Sequence, residues 1–313
     1  MFQGRLPSME LLERGFVRLA RDILIAARPF SLSLALYGTS VPLALAFRTG
    51  VLPGHNPATG LLRVILVTLA GLAVLTATNL INDFFECGIK NAPESRKLYR
   101  FMGKSRGSFE ILVFFIALAC FGFTALAGLY LALSTTTALF WIGALGLGGG
   151  YGYTGEPVVY KRFGLGAILS FLLLGPLMNY GAWLAVGGAQ SIHPILVSLP
   201  VSLLIPAMML ANEIRDVERD KDLGIKTATV ILGRKTGQAL YDALLILSFS
   251  LASALVIIGL APGTTLACIV ALPLAFRARS RVAGRHRDAI PATNLLHLVF
   301  GALYIMGLLV GAL

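Results

Sequence analysis

Apolar runs long enough to cross a bilayer recur from one end of this chain to the other, and they restrict its fold more than any other feature. A helix needs roughly 17–25 such residues to span the hydrocarbon core. Nine candidates lie at 30–47, 62–82, 109–133, 137–153, 165–187, 194–212, 239–260, 263–277 and 292–312. The fourth and eighth are short. The sixth contains Pro200 and Pro206, which should kink it or break its hydrogen-bond ladder. With 57% hydrophobic and 13% charged residues over 313 positions, the chain fits a polytopic helical membrane protein and not a water-soluble fold. Residues 30–313 read as one transmembrane domain. Residues 1–29 precede it with five arginines, and Leu11, Leu12, Phe16, Leu19, Ile23 and Leu24 give them the pattern of an interfacial helix, without the architecture of a cleavable signal. Cys87, Cys120 and Cys268 are scattered, show no metal-ligand spacing and read as packing residues.

The charges follow the spans. When the connections alternate between two sides, 24 of the 26 Lys and Arg residues fall on one face, and only Arg48 and Arg63 on the other. All fifteen acids lie on the same charged face or at its helix ends. Retention of basic residues inside makes that face cytoplasmic in an inner or cell membrane, with the N-terminus beside it and the C-terminus outside. The net charge of +11 is then topology and attraction to membrane lipid, not a nucleic-acid footprint. Few ionisable residues stand near the middle of the spans, which argues against a pump or ion transporter. The chemistry belongs on the charged face.

The densest charge on that face is Asn212-Glu213-Ile214-Arg215-Asp216-Val217-Glu218-Arg219-Asp220-Lys221-Asp222, at the end of the sixth span. The second span ends on a weak echo, Asn79-Leu80-Ile81-Asn82-Asp83-Phe84-Phe85-Glu86, and both stretches read Asn-x-Ile-x-Asp. On a helix, Asn79 shares a face with Asp83, Asn82 with Glu86, and Asn212 with Asp216 and Asp220. The echo four spans apart fits two pseudo-repeated bundles around a central cavity. Two such faces turned toward each other would ring that cavity with Asp83, Glu86, Asp216 and Asp220. Oxygen ligands beside Lys and Arg suit Mg²⁺ bridging a diphosphate, because Mg²⁺ binds through one or two carboxylates plus phosphate oxygens. Helix-end caps and snorkelling ion pairs are the alternative reading of the same residues.

Asn82-Asp83-x-x-Glu86 and Asn212-x-x-Arg215-Asp216-x-x-x-Asp220 resemble the paired Asp-rich motifs of UbiA-type intramembrane prenyltransferases. The resemblance extends through Gly224, Lys226, Thr227 and Leu232-Gly233, through Tyr153-Thr154-Gly155-Glu156-Pro157 with Tyr160 and Gly164, and through Gly175-Pro176, Ala27-Arg28-Pro29 and Asn294-Leu295. It covers nearly the whole chain and is strongest toward the 1,4-dihydroxy-2-naphthoate prenyltransferases of menaquinone biosynthesis. It implies nine transmembrane helices and transfer of a polyprenyl group from its diphosphate to an aromatic acceptor. It further implies Mg²⁺ on Asp83, Glu86, Asp216 and Asp220, with Tyr153 and Lys161 joining Asp83, Asp216 and Asp220 in catalysis. Substrate contacts are implied for Asn79, Asn82, Lys90, Lys97, Arg100, Asn212, Arg215 and Lys226. Departure of diphosphate builds negative charge, which Mg²⁺ and basic side chains stabilise. Tyr151 or Tyr153 would shield the allylic cation with a ring face, although packing accounts for a single tyrosine equally well.

The chain departs from the family pattern at its first motif. Glu86 stands at a position usually held by aspartate, Lys90 follows four residues on, and Ala92 replaces a further acid. Leu165 stands where a glutamate is usual. These changes leave other acceptors open, namely 4-hydroxybenzoate, homogentisate or a glycerol phosphate, and also a non-catalytic carrier or lipid-binding protein on the same fold. Gly146, Gly148, Gly149 and Gly150 read as close helix packing, since no strand precedes them. His297 reads as a structural hydrogen-bonding residue, His55 and His193 as bystanders, and the arginines from Arg277 to Arg287 as topology and lipid contacts.

Overall fold

A computed structural model describes residues 9–52, 56–86, 98–102 and 104–311, less the side chains of residues 9–14, 16, 86, 98 and 104. It is nearly all helical. An amphipathic helix, α1 (Met9–Ala27), leads through a short 3-10 turn at Pro29–Ser31 into α2 (Leu32–Arg48) and α3 (Pro57–Glu86). A two-stranded antiparallel hairpin follows, β1 (Leu98–Phe101) and β2 (Lys104–Gly107), with Tyr99 opposite Arg106 and Arg100 opposite Ser105. Next come α4 (Ser108–Ser134) and α5 (Ala138–Gly152). The fifth expected span is divided into α6 (Gly166–Leu172), a π-helical turn at Leu173–Leu177, and α7 (Met178–Ala185). The sixth comprises α8 (His193–Ser202) and α9 (Leu204–Asp222). A short α10 (Ala228–Leu232) precedes α11 (Arg234–Ile257), a 3-10 stretch at Gly263–Ala271, α12 (Leu272–Ala283) and α13 (Ala289–Val310).

Among the described residues seven helical segments are long and apolar enough to cross a membrane, and these make the chain a multi-pass membrane protein. The two expected spans outside that number are the short ones. One is α5, with 15 residues. The other is the segment from Gly263 to Ala283, where a 3-10 stretch of 9 residues precedes α12. The hairpin and the short α10 are described elements that the span pattern did not anticipate.

Two proline-bearing spans, the fifth and the sixth, are broken near a proline, whereas α2 runs unbroken through Pro42. Pro206 has no amide hydrogen for the Ser202 carbonyl, and the helix divides between α8 and α9 at Leu203. In the fifth span Gly175 takes φ −89° and ψ −105° ahead of Pro176. The Asn179 side chain, 1% exposed, donates from Nδ2 to the Gly175 carbonyl at 2.8 Å. In lipid such a carbonyl has no water to turn to, so a side chain must serve it.

Contacts between helix ends define the two faces. On the sparsely charged side, Arg48 donates to Gly311 O at the end of α13, and Arg63 donates to Ser134 O at the end of α4, 3.0 Å away. The two basic residues of that side thus serve carbonyls left open at helix C-termini. On the charged side lie the ends of α3, α5 and α9 and the starts of α2, α4, α6, α11 and α13. Inside the bundle, buried tyrosines find partners: Tyr37 donates to Leu298 O (2.6 Å), Tyr304 donates to Val197 O (2.9 Å), and Tyr241 shares a hydrogen bond with Thr293 (2.9 Å). Gly149 and Gly150 pack as read from sequence, since a Cβ there would lie 2.5 Å from Leu173 and 2.7 Å from Thr78, while Gly146 and Gly148 face open space.

Candidate active site

Both acid-bearing ends are helical through their last acid, so the four-residue spacing places side chains on shared faces. The end of α9 is closed by local chemistry. Gly224, at φ +67°, donates to Lys221 O (3.0 Å), and Ile225 donates to Asp220 O (2.8 Å). That pair of bonds is a Schellman cap, which favours glycine at the left-handed position. Arg219 and Lys221 lie in the last turn, where cations favour the helix dipole. Thr227 then starts α10 by accepting a hydrogen bond from Val230 N (3.3 Å). Glu213 ties α10 back to α9 by accepting from Thr229 N at 2.9 Å.

On α9, Arg215 grips Asp216 with a two-pronged contact, Nε to Oδ1 at 2.7 Å and Nη2 to Oδ2 at 2.6 Å. A guanidinium fork of this kind fixes the orientation of the carboxylate. Asp220 lies near enough for its charge to act on both Arg215 and Glu213. Asn212 turns its amide back to Met208 O (3.2 Å).

The asparagines at the end of α3 are engaged by the α1–α2 junction. Asn79 donates to Ala27 O and to Ser31 Oγ, both at 2.9 Å, and Arg28 Nη2 donates to Asn82 Oδ1 at 2.6 Å. Arg28 itself occupies the left-handed region, φ 53° and ψ 65°, a strained backbone for an arginine. Asp83 is half-buried on the same helix end. The last turn is secured from the other side by Arg106, which donates to the Phe84 carbonyl and sets its guanidinium 4.1 Å from the centre of the Phe84 ring. Glu110, which receives the Gly107 amide at 2.7 Å as α4 begins, lies 4.0 Å from Arg106.

One segment contacts both acid-bearing helices. From the end of α5, the Tyr151 ring meets Phe85 edge-on with centres 6.4 Å apart, and its hydroxyl donates to Glu156 O at 3.0 Å. Two residues on, the Tyr153 hydroxyl reaches Met209 Sδ on α9 at 3.8 Å, and Lys161 Nζ sits 5.6 Å from the Tyr153 ring centre. Lys161 also lies close enough to Glu213 for their charges to interact. Val159, a β-branched residue at φ 42°, introduces the turn that carries Tyr160 and Lys161. Burial pushes the Tyr160 phenol up, with neighbouring Tyr153 adding to it, so Tyr160 stays protonated.

Tyr153 and Lys161 lie against α9, which carries Asn212, Arg215, Asp216 and Asp220, and Tyr151 meets the end of α3 that carries Asn79, Asn82 and Asp83. Arg100 is exposed on β1, and Lys226 is exposed ahead of α10. Lys90, Lys97 and the Glu86 side chain lie outside the described residues. Among the described residues no three His, Cys, Asp or Glu side chains converge as a metal site by themselves. The donors present are hard oxygens, which fits Mg²⁺, an ion that completes its shell with phosphate oxygens. Arg28, Arg106 and Glu213 hold the site's walls and were not picked out as site residues from sequence. Arg28 carried a signal through the Ala27-Arg28-Pro29 resemblance and Glu213 through its place in the Asn212–Asp222 charge cluster.

The fold is a polytopic helical bundle with two acid-bearing helix ends and a basic, tyrosine-bearing segment that contacts both helices. The chain belongs to the UbiA prenyltransferase family, whose pattern matches residues 34–308. It is 28% identical over 314 residues to mouse (Mus musculus) UbiA prenyltransferase domain-containing protein 1, covering 98% of this chain and 88% of that protein. It is 27% identical over 260 residues to the 1,4-dihydroxy-2-naphthoate octaprenyltransferase of Bacillus subtilis, covering 80% of this chain and 82% of that protein. Its fold matches a UbiA homologue from Archaeoglobus fulgidus bound to DMAPP and Mg²⁺, with a TM-score of 0.60 and 18% identity over 92% of this chain and 97% of that one. A digeranylgeranylglyceryl phosphate synthase matches with a TM-score of 0.57 and 17% identity, over 90% and 98% of the two chains. The chain is thus an intramembrane prenyltransferase.

Proposed function

We propose that the protein transfers a polyprenyl group from an isoprenoid diphosphate to an aromatic acceptor, with 1,4-dihydroxy-2-naphthoate as that acceptor, on the route to menaquinone. The observation that carries this reading is the Tyr151–Lys161 segment, which contacts both acid-bearing helices. Asp83, Glu86, Asp216 and Asp220 would hold Mg²⁺, which supplies charge to a departing diphosphate when bound. Arg215 fixes Asp216 for that task, and Lys161, with Lys90, Lys97, Arg100 and Lys226, supplies cations to the phosphates. Asn79 and Asn82 act by locking the α1–α2 junction to α3, and Asn212 lines the α9 wall. The rings of Tyr151 and Tyr153 would exclude water and stabilise positive charge.

The homologue bound to DMAPP and Mg²⁺ supports the donor and the metal, and the Bacillus subtilis relative supports the acceptor. On the charge distribution, the site and N-terminus face the cytoplasm and the C-terminus lies outside. Residues 30–313 act as one transmembrane unit, with 1–29 as its interfacial lead. The test supplies membranes carrying the protein with a labelled isoprenoid diphosphate and a panel of acceptors, with and without Mg²⁺. The expected result is Mg²⁺-dependent label on dihydroxynaphthoate above 4-hydroxybenzoate, homogentisate and glycerol phosphate. Label on a different acceptor reassigns the substrate, and no diphosphate release with any acceptor contradicts the reading.

A further inference from the structure

Two connections on the charged side of the bundle leave large apolar side chains uncovered. In the 3-10 turn Tyr160–Phe163, which leads from α5 into α6, Phe163 is 66% exposed. In α10, which leads from α9 into α11, Ile231 and Leu232 are 55% and 53% exposed. The two connections pack together, since a Cβ on Gly164 would lie 2.7 Å from Ile231 Cδ1 and 3.4 Å from the Lys226 carbonyl. Phe163 and the end of α10 are therefore neighbours on one surface. Both connections lie outside the expected spans, where exposed neighbouring apolar side chains mark a partner and not a solvated loop.

Continuity and charge say which partner. Leu165, at the entry to α6, is exposed together with Ile168 and Leu172, three and seven residues further on. That spacing is one face of a helix, and α6 begins a membrane span, so the face is turned to lipid. Phe163 carries the same apolar stripe past the end of the span. The charges beside it have one sign. Lys161, Arg162, Lys226, Arg234 and Lys235 lie in the two connections, and no Asp or Glu occurs between Pro157 and Asn212 or between Leu223 and Tyr241. Arg162 and Lys235 are exposed, whereas Arg234 is hydrogen-bonded to Ala283 O at 2.8 Å. The acid that reaches α10 from α9, Glu213, is half-buried against the Thr229 amide. Apolar side chains beside unopposed bases suit the headgroup layer, where acyl chains meet anionic phosphates.

We propose that the Tyr160–Leu165 turn and α10 form a wedge that docks on an anionic lipid leaflet. Phe163, Ile231 and Leu232 enter the acyl boundary, and Arg162 and Lys235 lie against the lipid phosphates. The wedge is separate from the transfer reaction and independent of its acceptor. Its consequence for the candidate site is mechanical. The same turn carries Lys161, and Glu213 ties α10 to α9, so the leaflet braces both from outside.

The experiment places a fluorescent thiol label at Phe163→Cys, Ile231→Cys, Ile168→Cys or Arg287→Cys, one at a time, in the full chain with its own cysteines replaced. The protein is held in nanodiscs of phosphatidylcholine mixed equally with phosphatidylglycerol. Labels at 163 and 231 are expected to be quenched by spin-labelled lipid, as the lipid-facing label at 168 is, and to escape the aqueous iodide that quenches the label at 287. Iodide quenching at 163 and 231 without lipid quenching overturns the proposal and leaves the patch to a water-soluble partner or a second copy. Amide hydrogen exchange tests the bases without a label. Residues Thr229 to Gly233 should exchange at least about fivefold more slowly in the anionic mixture than in phosphatidylcholine alone, the scale of one base held near an anionic surface. Arg162→Gln combined with Lys235→Gln should remove that difference. Equal exchange of the wild type in the two lipids overturns the anionic contact. Neither readout uses turnover, so failure of the proposed prenyl transfer leaves both expectations standing.

Discussion

At the scale of single residues, the second motif is held together by the Arg215–Asp216 fork. Lysine keeps the charge at that position but cannot make two parallel bonds in a fixed plane. Arg215→Lys is therefore expected to lower kcat/KM for the isoprenoid diphosphate about tenfold, as loss of one charge-assisted contact would, and steady-state kinetics with varied Mg²⁺ would show it. An unchanged rate would remove Arg215 from the site. Asp216 and Asp220 were legible because helical spacing alone puts them on one face. The work of Asn79 and Asn82 was not. Their partners, Ala27, Arg28 and Ser31, stand about fifty residues earlier, and no local pattern records a contact across two helices.

At the scale of elements, the end of α9 depends on one backbone conformation. Gly224→Ala forces an L side chain into the left-handed region, at a cost of about 1 kcal/mol. The expected result is a thermal unfolding midpoint lower by a few degrees, with α9 still formed, and a variant as stable as the wild type would show that the cap contributes nothing. This glycine was visible in the sequence as part of the Gly224-x-Lys226-Thr227 run. The breaks at Leu203 and Gly175 were equally visible for the sixth span and less so for the fifth, where Pro176 and Gly175 registered only as a family likeness. The hairpin escaped the span pattern because four-residue strands are too short for a period-two signal. Arg106 went unread with it, since its role as the clamp on Phe84 depends on a strand that brings it back to α3.

At the scale of the whole molecule, hydrophobic length and charge asymmetry decided most of the fold. A membrane leaves few options for a chain this apolar, because every backbone group must be satisfied within helices. Only the short segments, α5 and the 3-10 stretch leading into α12, blur the count, for the same reason that they were the weak candidates by length. Orientation is testable by cysteine accessibility in a cysteine-free background. Ser191→Cys, on the sparsely charged side, should react with an impermeant thiol reagent applied outside intact cells, while Arg287→Cys should react only after the membrane is opened. The reverse pattern would invert the topology. The proposed pairing of the two acid-bearing ends is the least local feature of all, because Asp83 and Asp216 are separated by four expected spans.

That pairing is the central claim, and it is tested by the rate of diphosphate release from a labelled isoprenoid diphosphate in membranes carrying Asp83→Ala or Asp216→Ala. Each variant is expected to insert at wild-type levels and to lose at least about a hundredfold in rate, the scale of removing one group that stabilises a transition-state charge. Near-normal turnover in either variant would contradict a site built from both helix ends.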